Sequence, residues 1–149
     1  MAPGVRAQSQ DSTSDDIASA EDLRDPQVRA ALSAPAIRLF LKVADAWGLN
    51  VAERRVLLGD IARATYHNWQ SGKVGTLGRD QIERVSLVLG IHKALRLLFA
   101  DDGAALRWLR SANRDIAFAG RSPLDRALRG GIDDLYTVRR YLDGWRGMT

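Results

Sequence analysis

From Pro35 to Trp145 the large apolar residues of this chain recur three and four positions apart, and nowhere do they alternate with polar residues for long enough to make a strand. A sheet is thereby excluded, and the fold expected is all-α. Ile37, Phe40, Leu41, Ala44 and Trp47 mark one face of a first helix. Pro35 is expected in its first turn, where a missing N–H has no intrahelical partner to lose, and Gly48 at its stop. Two short helices follow, over 51–58 and 62–71, ended by Gly59 and Gly72. A glycine-rich connector leads to a long helix over 79–99, and a further helix over 102–111 carries Leu106, Trp108 and Leu109. After a loop containing Phe118 comes Ser122-Pro123-Leu124-Asp125, a strong helix start: the serine caps, the proline takes the first turn, and the aspartate closes a capping box. The last helix, over 132–145, aligns Ile132, Leu135, Val138, Leu142 and Trp145.

Composition and charge divide the chain further. Residues 1–33 are expected to be a mostly disordered or weakly helical tail, because the first twenty hold few large apolar groups to offset the entropy of ordering. Residues 34–91 form a helix-turn-helix domain and residues 92–149 a second small helical domain. Residues 36–91 hold eight basic and five acidic side chains, and residues 92–149 eleven and seven, whereas residues 1–35 hold three and six. A basic body behind an acidic tail suits a polyanionic partner such as nucleic acid. An arginine-rich genome would produce the same balance.

Several chemistries are excluded outright. There is no cysteine, so disulfides, thiolate metal sites and thiol catalysis are absent. Only His67 and His92 are available as imidazoles, with no acid arranged to orient either. No nucleophile, acid–base pair or ligand cluster assembles, so neither an enzyme, nor a metal site, nor a cofactor is expected. Apolar runs fall far short of the ~20 residues of a membrane helix, and no signal peptide opens the chain, which points to the cytoplasm.

The stretch 49–73, LNVAERRVLLGDIARATYHNWQSGK, has the form of a helix-turn-helix unit, in which one helix supports and the second enters a major groove. Val56, Leu57, Ile61, Tyr66 and Trp69 are its expected inward anchors. Arg63, Thr65, His67, Asn68 and Gln70 then face outward, with Lys73 and Arg79 flanking. These residue types read base edges or hold phosphate. From Ile61 to Arg79 there is no acid, an omission that a merely solvated surface does not require. The C-terminal segment offers a different surface. Trp108, Tyr141 and Trp145, edged by Arg139, Arg140 and Arg146, suit either a protein-contact patch or an aromatic core with arginines laid over it.

Taken together, LLGDIARATYHNWQSGK, then FAGRSPLDRALRGG and YLDGWRG, resemble the Xre/MbcA/ParS class of antitoxins over roughly 36–149. The resemblance rests on Gly120-Arg121-Ser122-Pro123-Leu124 with Leu128, Gly130 and Gly131, and on the Tyr66, Trp69 and Gly72 spacing. Around Gly59-Asp60-Ile61 the chain has one residue more than the tightest turns of that class. The resemblance implies that residues 92–149 bind a toxin, most often one with an NAD-consuming RES domain, and that the complex represses its own operon. Toxin contact is expected at Arg121, Ser122 and Pro123 of that motif and, because the apolar stripe of the last helix runs up to an arginine-edged Trp145, at Arg139, Arg140, Trp145 and Arg146. Pairing as a homodimer on double-stranded operator DNA is expected, because one short helix makes few base contacts. The competing reading is a stand-alone helix-turn-helix repressor whose C-terminal helices only dimerise.

Overall fold

The computed structural model describes residues 22–147, so the expectation of disorder over 1–20 lies outside the described residues. Those residues form a short 3-10 turn (Asp22–Arg24) and seven α-helices, α1 (Pro26–Ala46), α2 (Val51–Leu57), α3 (Arg63–Gln70), α4 (Arg79–Leu98), α5 (Asp102–Arg110), α6 (Pro123–Ala127) and α7 (Ile132–Gly147), and no strand. The all-α expectation therefore holds. None of these helices is long and apolar enough to cross a membrane. The chain divides into two compact units between Leu89 and Gly90, inside α4.

In the first unit the helix starts nine residues before the place that Pro35 suggests. Asp25 caps α1 by accepting from the Gln27 N–H at 2.8 Å, Pro26 takes the first turn, and Pro35 lies inside the helix. The residue four positions back, whose carbonyl Pro35 cannot bond, is the exposed Ala31, so water can serve that oxygen. Burial on the other side favours continuing: Ser33, Ala36, Ile37, Phe40, Val43 and Ala44 all face inward. The end of the segment expected to be a weakly helical tail, from Pro26 on, is thus the first part of α1. Asn50 caps α2 through a capping box with Glu53, and the turn 58–62 leads into α3. The first half of α4 contributes Ile82, Val85 and Val88, each fully buried.

In the second unit the later part of α4 buries Ile91, Ala94, Leu95 and Leu98. Asp101 caps α5 by accepting from the Ala104 N–H at 2.7 Å. Ser122 and Asp125 form the expected capping box of α6, with Pro123 in its first turn. Along α7 the core stripe is Leu135, Val138 and Leu142, while Ile132 and Trp145 at its ends are half-buried.

A single hydroxyl ties distant parts of the first unit. Ser33, 1% exposed, donates to the Arg29 carbonyl at 2.6 Å and accepts from the Leu77 N–H at 2.9 Å. Ser33→Ala leaves that N–H buried without its acceptor, and should destabilise the chain by about 1–3 kcal/mol. Urea unfolding followed by tryptophan fluorescence reads this directly; a midpoint unchanged from the unaltered chain would contradict the role assigned to the link.

Candidate functional site

The helix-turn-helix is built by anchoring α3 from one side only. Tyr66 is 1% exposed and Trp69 is 8% exposed, and with Leu57, Leu58 and Ile61 they form the expected apolar seam. Leu58 takes the inward place expected of Val56, which is half-buried. Arg54 adds a polar clamp. Its guanidinium donates to the Leu49 carbonyl at 2.9 Å, to Asp45 at 2.8 Å and to the Tyr66 hydroxyl at 3.3 Å. Burial alone would lower the Arg54 pKa, but the bonds to Asp45 and Tyr66 outweigh it and the pKa is raised. One side chain thus joins α1, α2 and α3.

The turn between α2 and α3 contains two successive left-handed residues, Gly59 at φ 96° and Asp60 at φ 61°. Glycine takes this conformation freely, and aspartate is among the few other residues that tolerate it. The Asp60 N–H donates to the Arg55 carbonyl at 2.8 Å, and Arg55 Nε donates onward to the Ile61 carbonyl at 2.7 Å. The chain therefore reverses through a hydrogen-bonded turn before α3 begins.

At 100° per residue, an α3 anchored at Tyr66 and Trp69 turns Ala64, His67 and Asn68 to the middle of its outer face. Arg63 and Gln70 fall on one edge. All of these are exposed, as are Lys73 and Arg79 beyond the helix. Thr65 falls on the opposite edge and is half-buried, so it is the one expected outward residue partly withdrawn from the surface. Ala64 carries no polar atom and so gives no signal in the sequence. Its place at the centre of the face leaves the α3 backbone free to approach a surface closely.

In the second unit the expected contact residues separate. Arg121 is exposed, its guanidinium 3.9 Å from Asp125. Ser122 and Pro123 are buried, and the Ser122 hydroxyl accepts from the Asp125 N–H at 2.9 Å, so both build the start of α6 rather than a surface. Arg139 lies against Gly90 and bonds Asp143 at 3.2 Å. Arg140 is exposed with its guanidinium carbon 5.7 Å from the Tyr136 ring centre. Arg146 lies 3.7 Å from Asp143. Trp145 packs onto Trp108 and Tyr141, with ring centres 5.5 and 4.9 Å apart, yet stays half-exposed. Phe99 and Phe118 complete this aromatic cluster around Trp108. Trp145 is thus packed into this cluster on one side and open on the other.

Sequence reasoning missed the latch beneath these residues. Arg126 donates to Asp134 at 2.7 Å, to the Ala117 carbonyl at 3.0 Å and to the Thr137 hydroxyl at 3.4 Å. The Asp134 side chain is 14% exposed and also accepts from the Gly131 N–H. Arg126 therefore fastens the loop 111–121, α6 and α7 together. The same loop is held from α7 by Tyr141, which hydrogen-bonds Asp115 and Asn113. Burial first, and the neighbouring Asp115 carboxylate second, raise the Tyr141 phenol above its usual pKa.

Comparison with known proteins matches both units. Residues 24–90 match the antitoxin Xre-like helix-turn-helix domain, and residues 94–147 the antitoxin Xre/MbcA/ParS C-terminal toxin-binding domain. An uncharacterized protein of Sinorhizobium fredii, y4oB, is 41% identical over 111 residues, covering 74% of this chain and 84% of that protein.

Two substitutions probe the contacts of Arg126 and Tyr141. Arg126→Ala should destabilise the chain by about 1.5–3 kcal/mol, since it strands the nearly buried Asp134 carboxylate. For Tyr141 the raised phenol pKa fixes the sign: the folded state holds its proton better, so its contribution is intact below pH ~10 and lost as pH rises beyond it. Unfolding midpoints measured between pH 8 and 11 should fall at the alkaline end, and Tyr141→Phe should flatten that fall. An alkaline slope unaffected by the substitution would contradict the assignment.

Proposed function

We propose a division of labour within this chain, which belongs to the Xre/MbcA/ParS-type antitoxins: the unit ending at Leu89 grips operator DNA, and the unit beginning at Gly90 holds the toxin. Antitoxins of this type are binding proteins, and the partner that defines them is a toxin. The finer reading is that the toxin carries an NAD-consuming RES domain, that the chain acts in the cytoplasm as a homodimer, and that the toxin–antitoxin complex represses its own operon.

The observation that carries the DNA reading is the asymmetry of α3. Its inner side is committed to Tyr66 and Trp69, while Arg63, His67, Asn68 and Gln70 are exposed and no acid occurs from Ile61 to Arg79. Asn68 and Gln70 have the donor and acceptor pair that matches adenine in the major groove, and Ala64, beside Asn68 at the middle of the face, admits close approach or a thymine methyl. Arg63, Lys73 and Arg79 suit phosphates. Thr65, half-buried on the flank, is suited to a phosphate at the groove edge. A second copy supplies the second half-site. Leu39, 45% exposed on α1 between Arg38 and Phe40, is an apolar point available to such pairing.

The toxin reading is supported by the bracing of the loop 111–121 against α6 and α7 and by exposed arginines of the second unit, Arg121, Arg129 and Arg140 among them. Arg139, Trp145 and Arg146 are held by contacts inside the unit, so their contribution to toxin binding is to present the end of α7 as a fixed surface. A stand-alone repressor needs no such surface, and the match over 94–147 favours the antitoxin.

Titration of DNA from upstream of the gene tests the first half of the proposal. Asn68→Ala with Gln70→Ala should cost about 1–3 kcal/mol for each base that is no longer read, and should relax preference at those positions. Lys73→Ala should weaken all sequences alike and lower the salt dependence. Unchanged affinity in the Asn68 and Gln70 double variant would remove α3 from the groove.

A further inference from the structure

The second unit exposes one large apolar side chain almost completely. Ile116 is 96% exposed, at the tip of the loop 111–121. The loop that presents it is braced throughout. Asn113 accepts from the Asp115 N–H at 2.9 Å, and Asp115 from the Ala117 N–H at 3.2 Å. The loop ends are joined by the Asn113 N–H donating to the Arg121 carbonyl at 3.0 Å and the Gly120 N–H to the Asn113 carbonyl at 2.9 Å. Tyr141 and Arg126 hold it from α7 and α6. Ala119, at φ 51°, is kept in a left-handed conformation that a side chain disfavours, and such strain persists where surrounding contacts impose it.

Beside the tip lies a recess of about 470 Å³ lined by Ala117, Phe118, Arg121, Asp125, Leu128 and Arg129 among others. Its lining mixes apolar side chains with three arginines, Arg121, Arg126 and Arg129, against one acid, Asp125. Arg121 and Arg129 have side chains 79% and 66% exposed, and their acidic neighbours stand 3.9 and 3.8 Å away, beyond hydrogen-bond length. Unlike Arg126, they are held loosely and remain able to meet another carboxylate.

We propose that Ile116 and the adjoining arginine-rimmed recess are the primary grip on the toxin: Ile116 enters an apolar socket, and an acidic side chain of the toxin enters the recess between Arg121 and Arg129. The inference rests on the toxin-binding reading of residues 94–147 and goes beyond it by placing the primary contact at the loop. A knob fixed in advance loses little conformational entropy on docking, so its burial is returned as affinity. An Arg–carboxylate pair shielded by that contact adds direction.

The test uses the full chain and the purified product of the reading frame adjacent to its gene. By calorimetric titration, Ile116→Ser should raise Kd by about 10- to 100-fold, the loss expected when one buried aliphatic side chain is removed. Melting temperature and operator affinity should stay unchanged, because Ile116 covers nothing in its own chain. Arg121→Glu with Arg129→Glu should raise Kd as well and weaken its dependence on salt. The proposal is overturned if Ile116→Ser and Ile116→Asp both bind within two-fold of the unaltered chain, or if the loss is accompanied by a lowered melting temperature. Failure of the unaltered chain to bind that product overturns the toxin reading itself, and this inference with it.

Discussion

An eight-residue helix has no independent stability in water, where even favourable sequences need about 12–15 residues. Everything α3 can do depends on its being held from one side. Tyr66 and Trp69 supply the hold by burial, and Arg54 pins the Tyr66 hydroxyl while reaching Asp45 and the Leu49 carbonyl. Anchoring by one face has a functional consequence. The opposite face is relieved of any packing duty, and its residues can be chosen for what they touch outside the molecule. The absence of acids along it fits a surface selected for a polyanion.

The second unit solves a related problem with different chemistry. Its α6 has only five residues, and its longest loop runs over 111–121. Apolar burial under such short pieces is limited, so charged and polar side chains take on the fastening. Arg126 collects a carboxylate, a carbonyl and a hydroxyl from three segments. The aromatic cluster of Phe99, Trp108, Phe118, Tyr141 and Trp145 closes the other side. Such an arrangement favours stiffness in the loop, which is what a binding surface needs if association is not to be opposed by ordering it.

Local signals were the legible ones in the sequence. The Ser122-Pro123-Leu124-Asp125 start, the Tyr66 and Trp69 anchors and the glycine stops all act over three or four residues, where sequence spacing and spatial spacing agree. Pro35 misleads because a helix breaker is weighed locally, while burial of Ser33, Ala36 and Ile37 on either side of it carries α1 through. Arg54 and Arg126 are invisible as fastenings, since their partners lie up to 12 and 11 residues away and any charged residue reads first as solvated surface. Ser122 and Pro123 illustrate the converse: a motif that identifies a family need not touch the partner, and here it shapes the helix start that supports the exposed Arg121 beside it. Ile116 gives no signal, because a lone apolar residue in a loop differs from a core residue only in what surrounds it.

If two partners occupy two different surfaces of one chain, each should shield its own segment. Hydrogen–deuterium exchange of the full chain, read by mass spectrometry with operator DNA alone and with toxin alone, tests it most directly. DNA should slow exchange within 63–79 and leave 111–129 unaltered, whereas the toxin should slow exchange within 111–129 and leave 63–79 unaltered. Protection of the same segment by both partners, or of neither segment by either, would contradict it.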